Sequence, residues 1–101
     1  MRKRDPYRAE HETVLRHWES SYLHTGVRKA HTVQEIIAAG LIDAGFHAAL
    51  VAVAGNASGI LVSNERLGRW LRKVEGKVVG RLRLACSGNH KGYPLWTLER
   101  A

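Results

Sequence analysis

A chain of 101 residues with 45% hydrophobic content suits one domain with a modest core. Its single cysteine, Cys86, excludes an internal disulfide, and no apolar stretch is long enough to span a bilayer. The formal net charge of +7 points to a polyanionic partner, with a merely soluble basic protein as the plain alternative.

The charge is unevenly placed. Residues 1–9 carry four basic groups and one acid, and residues 10–62 carry three basic groups and five acids. Residues 63–91 carry eight basic groups and two acids. A solvated face with no electrostatic role usually mixes its signs, so this segregation is informative. The N-terminal segment 1–5, with Arg2, Lys3 and Arg4, reads either as a flexible basic arm that adds non-specific attraction or, equally, as a cloning or domain-boundary remnant. No secretory leader is apparent, because the basic start runs into a polar helix. With one unpaired cysteine, a reducing cytoplasmic location is expected.

Asp5-Pro6 is a helix start, with Asp as the cap and Pro at the first helical position. Tyr7, Val14, Leu15, Trp18 and Tyr22 recur at helical spacing, which predicts a helix over 6–22. Residues 27–31 form a connector with the character of a short strand. Thr32 and Glu35 make a capping box, and Val33, Ile36, Ile37 and Leu41 form the apolar side of a second helix. Phe46, Ala49, Leu50 and Val53 suggest a short third helix. Residues 55–59 are a loop by composition.

Ser63 caps a fourth helix over 64–75, with Leu67, Trp70, Leu71 and Val74 as its apolar stripe. Arg66, Arg69, Arg72 and Lys73 fall outside that stripe, and Gly76 is the stop. The period then changes. Leu82, Leu84 and Cys86 alternate with Arg81, Arg83 and Ala85, as in a strand with Cys86 turned to the core. Residues 87–92 read as a turn, and Trp96 and Leu98 mark a second strand. Pro94 must then stand at a strand start or an edge.

Packed helices, then a basic helix, then a hairpin is the order of a winged helix-turn-helix. The expected fold is mainly α with a β-hairpin, as one winged-helix domain over 6–101. The link between the third and fourth helices is about eight residues, longer than the three or four of a tight helix-turn-helix. An α-helix fills the major groove of B-DNA, and arginine pairs bidentately with guanine edges or phosphate. The candidate DNA-binding residues are therefore Asn64, Arg66, Arg69, Arg72, Lys73 and Lys77, with Arg81 and Arg83 on the outward strand face and His90 and Lys91 at the hairpin tip. For Arg81 and Arg83 an alternative stands, since exposed basic residues on a strand also deter edge pairing.

The stretch Ser63-Asn64-Glu65-Arg66-Leu67-Gly68-Arg69-Trp70-Leu71-Arg72-Lys73, followed by Glu75-Gly76-Lys77-Val78-Val79-Gly80-Arg81-Leu82-Arg83-Leu84, resembles a C-terminal module of phage and prophage replication proteins. Those proteins are primase–helicase-like P-loop ATPases of bacterial mobile elements. Gly92-Tyr93-Pro94-Leu95-Trp96-Thr97-Leu98 resembles the end of the same module, and the likeness extends back through Thr32-Val33-Gln34-Glu35. The resemblance implies a winged-helix accessory domain that helps a replication protein grip DNA, with a replication ATPase or another protein as further partner. It brings no catalytic residue, since the ATPase and primase motifs lie outside the module and this chain has no G-x-x-x-x-G-K-[ST] loop.

Enzymatic chemistry and cofactors are not expected. No G-x-S-x-G motif occurs, the nine acids are scattered, and Asn89 with His90 is explained by turn chemistry. His17, His24 and His31 are interrupted by Thr25-Gly26 and read as surface or helix-end groups, while Cys86 with His90 makes no zinc site. Trp18, Trp70 and Trp96 read as core anchors. RNA is a weaker candidate than duplex DNA, because the A-form major groove resists side chains. From another class, a protein-interaction module is the alternative, such as a small phage-encoded inhibitor of a host machine, of which anti-CRISPR proteins are examples. Target sequence and oligomeric state are left open by the residues.

Overall fold

A computed structural model describes residues 6–101, with side chains from Arg8 onward. The basic arm at 1–5, the Asp5 cap and the Tyr7 side chain lie outside the described residues. Helix α1 (Pro6–Ser20) puts Val14, Leu15 and Trp18 into the core at the predicted spacing. The helix does not run to residue 22. The Ser21 hydroxyl donates to the Trp18 carbonyl at 2.7 Å and accepts from the Leu23 N–H at 3.2 Å, starting a separate turn α2 (Tyr22–Thr25). Such local side-chain bonds compete with helix continuation. Leu23 is thereby buried and Tyr22 exposed, so Tyr22 does not belong to the α1 stripe.

Helix α3 (Val33–Leu41) begins with the predicted capping box. The Glu35 N–H donates to Thr32 Oγ1 at 3.3 Å, and the Thr32 N–H donates to Glu35 Oε1 at 3.0 Å. Ile36 and Ala39 are buried, but Leu41 at the last turn is exposed. Helix α4 (Ala44–Ala54) is capped by Asp43, which accepts from Gly45 and Phe46. Phe46, Ala49 and Leu50 are buried; Phe46 meets the rings of His17 and Trp18 across α1.

The link from α4 to α5 (Asn64–Val74) covers residues 55–63. Its length does not separate the two helices, because its ends are tied: Gly55 bridges Val62, and the Ser63 N–H donates to the Ala54 carbonyl at 2.8 Å. Helix α5 buries Leu67, Leu71 and Val74. Trp70 is half-buried against the core cluster rather than inside it, a correction to its reading as a core anchor. Trp18 and Trp96 are fully enclosed.

Strands β1 (Leu82–His90) and β2 (Tyr93–Arg100) form an antiparallel hairpin. Leu82, Leu84, Trp96 and Leu98 close the core against the helices. The turn is shorter than predicted. Only Lys91 and Gly92, both at positive φ, connect the strands, as in a two-residue type I′ turn. Ser87 and Gly88 oppose a single partner residue in a bulge between Cys86 and Asn89, so pairing resumes to the tip. Cys86 shares the Trp96 face by strand alternation, yet it is exposed while Trp96 opposite it is buried. Pro94 pairs with Asn89 near the start of β2, where both strands are edges.

The connector before α3 does act as a strand at one residue. His31 bridges β2 through paired backbone bonds with Trp96, 2.8 and 2.7 Å long. This buries His31, whose Nε2 bonds to the carbonyls of Leu23 and Arg28, both at 3.1 Å. Its expected surface position is therefore corrected.

Candidate nucleic-acid interface

The cationic surface is built on α5. Ser63 caps it by accepting the Arg66 N–H, Glu65 stands in its first turn, and Arg72 and Lys73 stand in its last, a favourable order for the helix dipole. With Leu67, Leu71 and Val74 pointing inward, Asn64, Arg66, Arg69, Arg72 and Lys73 are all exposed.

These five do not form one uniform row. Arg69 and Arg72 occupy the side opposite the buried stripe, where Glu65 lies 3.9 Å from the Arg69 guanidinium. Both members of that pair are highly exposed, so the attraction is weak. Arg66 leans toward the linking loop and donates to the Gly55 carbonyl at 3.1 Å. Lys73 and Lys77 turn to another side and line a cleft shared with α1 and α4.

At the other end of α5, Asn64 shares a cleft with His90 and Lys91 of the hairpin tip. Thr32 and Glu65 line it too, and Arg28, Gln34 and Tyr93 add further polar groups. None of these three carries a local signal; only the fold brings the start of α3 to the start of α5. Glu35 also faces this cleft. The Thr32 backbone N–H holds its carboxyl below the usual range, and Arg28 adds to the effect.

One predicted residue sits differently from expectation, and another is in its expected place but paired. Arg81 is exposed but is not on the strand face. With Gly80 it forms the centre of a tight turn, both at positive φ, between the paired residues Val79 and Leu82. That is type I′ geometry, in which glycine at the first central position avoids a steric cost. Arg83 is on the outward face, where its Nε donates to Glu99 Oε1 at 3.0 Å across the strands. Its charge is thus offset by a neighbour.

Among the described residues, no group of three or more His, Cys, Asp or Glu side chains is arranged to hold a metal ion. No helix among them is long and apolar enough to cross a membrane.

His11 is a titratable group that the sequence did not single out. It is buried edge-to-face with Trp70 at 5.5 Å between ring centroids, and burial, then the nearby Lys77, hold its pKa below the ordinary value. The unfolded chain, with an imidazole near pKa 6.5, binds the proton more readily below that pH. Stability should therefore be complete near pH 7.5 and fall as the pH drops through about 6.5 toward 5. Urea midpoints at these pH values check this, and His11→Phe should flatten the dependence. The Glu35 carboxyl contributes a separate loss at lower pH, which begins as the pH falls through the ordinary carboxylate value and is complete below its depressed pKa. No family model, curated protein or solved structure matches this chain.

Proposed function

We propose that this protein is a non-catalytic winged-helix domain that binds duplex DNA, as an accessory to a phage or mobile-element replication protein. The observation that carries the reading is α5: its inner side is anchored by Leu67, Leu71 and Val74, its outer side offers Arg69 and Arg72, and Asn64, Arg66 and Lys73 are exposed on its flanks. A helix of this kind fits the major groove, with arginines placed for base edges or phosphate. The hairpin tip supports it, because His90 and Lys91 share a cleft with Asn64 and so stand beside the start of α5. The single bridge of His31 to Trp96 beside the hairpin is compatible with this reading. The link to replication proteins rests on the sequence resemblance alone.

Binding is expected to be sequence-tolerant and driven by charge. Neutralising roughly four to six phosphates gives a log–log salt slope of about −4 to −5. Affinity for a duplex measured at several salt concentrations tests this; a flat dependence would overturn it.

One observation favours the second reading, a protein-interaction module such as a phage-encoded inhibitor. Leu41 and Ile42 at the end of α3 are 69% and 77% exposed, and Ile60 and Leu61 in the α4–α5 link are 68% and 57% exposed. His47 joins the two pairs, lying against Gly40 and bonding the Ile60 carbonyl at 2.9 Å. No Lys or Arg occurs between residues 30 and 65, so this apolar area lies in the part of the chain that lacks cations. Absence of a gel shift with duplex, single-stranded DNA and RNA at physiological salt favours this second reading.

A further inference from the structure

The cleft at the start of α5 differs in chemistry from the outer side of that helix. It holds about 480 Å3, within the range of small-ligand pockets, about 300–1,000 Å3. A hollow of this size takes one nucleotide-sized group, not the side of a duplex. Two of its ionic groups are engaged with each other: Arg28 donates to Glu35 Oε1 at 3.1 Å, and Glu35 is held further by the Thr32 N–H. Glu65 adds a second carboxylate, which repels a phosphate placed deep in the cleft. By contrast, the side chains of Gln34, Asn64 and Tyr93 have no hydrogen-bond partner among the described residues. Val33 and Pro94, both half-buried, supply apolar wall, and Lys91 stands on the side of the hairpin tip.

These groups select a heterocyclic base. A side-chain amide carries a donor and an acceptor side by side, the pattern of a base edge. A phenol ring stacks on the face of any base, and a carboxylate accepts from an exocyclic amino group. The Lys91 ammonium is placed for the adjoining phosphate. A base inside a duplex is not free to enter, because taking it out of the stack is costly, and least so where it is already unpaired. We propose that this cleft holds an unpaired base beyond the end of a duplex lying on α5. The inference rests on the duplex-binding reading and names the DNA it prefers, a junction of duplex with single strand. The spacing fits. Asn64 precedes Arg69 and Arg72 by five and eight residues of α5, about 7.5 and 12 Å along the helix axis. Successive nucleotides of a strand rise about 3.4 Å each, so an overhang of about four nucleotides spans the interval.

Fluorescence anisotropy with labelled DNA tests this. The full chain is titrated with a blunt duplex, with the same duplex carrying an overhang of about four nucleotides at a 3′ or a 5′ end, and with each overhang made abasic. An abasic overhang keeps every phosphate and lacks the bases, so it separates base recognition from charge. The expected result is binding of one overhang polarity about tenfold tighter than the blunt duplex, the effect of one stacked base, with its abasic form close to the blunt value. Tyr93→Ala should bring the ratio of overhang to blunt affinity near one, whereas Tyr93→Phe, which keeps the ring, should preserve it. Tyr93 is 65% exposed, so both variants should fold, and circular dichroism checks this. Gln34→Ala, from the α3 side of the cleft, should lower the ratio as well. Equal affinity for blunt and overhanging duplexes overturns the proposal and leaves the duplex-binding reading standing; it is also the result expected of a cleft that takes a peptide. An abasic overhang bound as tightly as the base-bearing one overturns it too, as does an undiminished ratio in folded Tyr93→Ala. Failure to bind any of these DNAs overturns both readings together.

Discussion

Trp96→Ala should leave the chain largely unfolded at physiological temperature. Trp96 is fully enclosed, and its residue joins three parts of the molecule. Its backbone pairs with His31, its strand position faces Cys86 on β1, and its side chain belongs to the same cluster as Trp18, Leu67 and Leu84. Truncating a buried tryptophan to alanine costs about 3–5 kcal/mol in lost contacts and residual cavity. A domain near 100 residues holds only about 5–15 kcal/mol in total, and small domains fall toward the lower end. At about 4–8 °C per kcal/mol, the melting temperature should fall by roughly 15–30 °C. Tyr93→Ala at the exposed hairpin tip should change it little. Trp96→Phe separates packing from hydrogen bonding. The Trp96 indole N–H has no partner, so phenylalanine removes an unsatisfied donor and leaves a smaller void. It should cost well under half of the alanine change. Thermal unfolding followed by circular dichroism decides this, and a shift of only a few degrees for Trp96→Ala would mean that the hairpin does not close the core.

The parts of this fold that were legible in the sequence are those fixed within three or four residues. Thr32 and Glu35 satisfy each other across one helical turn, so their capping box shows in the residue order alone. Ser63 and the stripe of Leu67, Leu71 and Val74 are equally local. Ser21 gives an equally local signal, but a serine inside an apolar repeat reads as tolerated rather than as a break. Burial of His31 had no such signal, because it follows from pairing with Trp96, far along the chain. Leu41 fits the helical period of α3, yet periodicity does not say where the neighbouring layer ends. The same limit applies to Cys86, whose face was read correctly and whose depth was not.

Composition misled at the hairpin in both directions. Ser87-Gly88-Asn89 has the make-up of a loop, but the backbone pairing continues through a bulge, and polar side chains suit a strand that is wet on both faces. Arg81 appeared to continue the alternation of β1, whereas consecutive positive φ values at Gly80 and Arg81 turn the chain there. The candidate site shares this history. All ten candidate residues are exposed, but the fold distributes them over the outer side of α5, two clefts and the hairpin. Charge content was visible in the sequence; direction was visible only for α5, where an apolar stripe fixes which side faces out.

Arg69→Ala combined with Arg72→Ala should remove most duplex binding while leaving the fold intact. Both side chains lie opposite the buried stripe, so neither supports the core, and alanine is a strong helix former. They are also separate from the cleft lined by Lys73 and Lys77. Each lost contact should weaken binding by about 1–3 kcal/mol if it reaches a base edge. If the contacts are to phosphate, the loss is smaller per residue, equal for all sequences, and flattens the salt slope by about one unit per charge. Arg83→Ala should have less effect, since that guanidinium is already paired with Glu99. Glu65→Gln should act in the opposite direction. Its carboxylate is exposed on the same side of α5 and repels phosphate, so its removal should tighten duplex binding. Gel shifts and salt titrations of the three variants against the parent, with circular dichroism as the folding control, make the comparison. If the folded Arg69→Ala, Arg72→Ala protein binds duplex as well as the parent does, α5 is not the recognition helix. If Glu65→Gln also leaves binding unchanged, the charge on this face has no nucleic-acid role, and the exposed apolar residues around His47 become the surface to pursue.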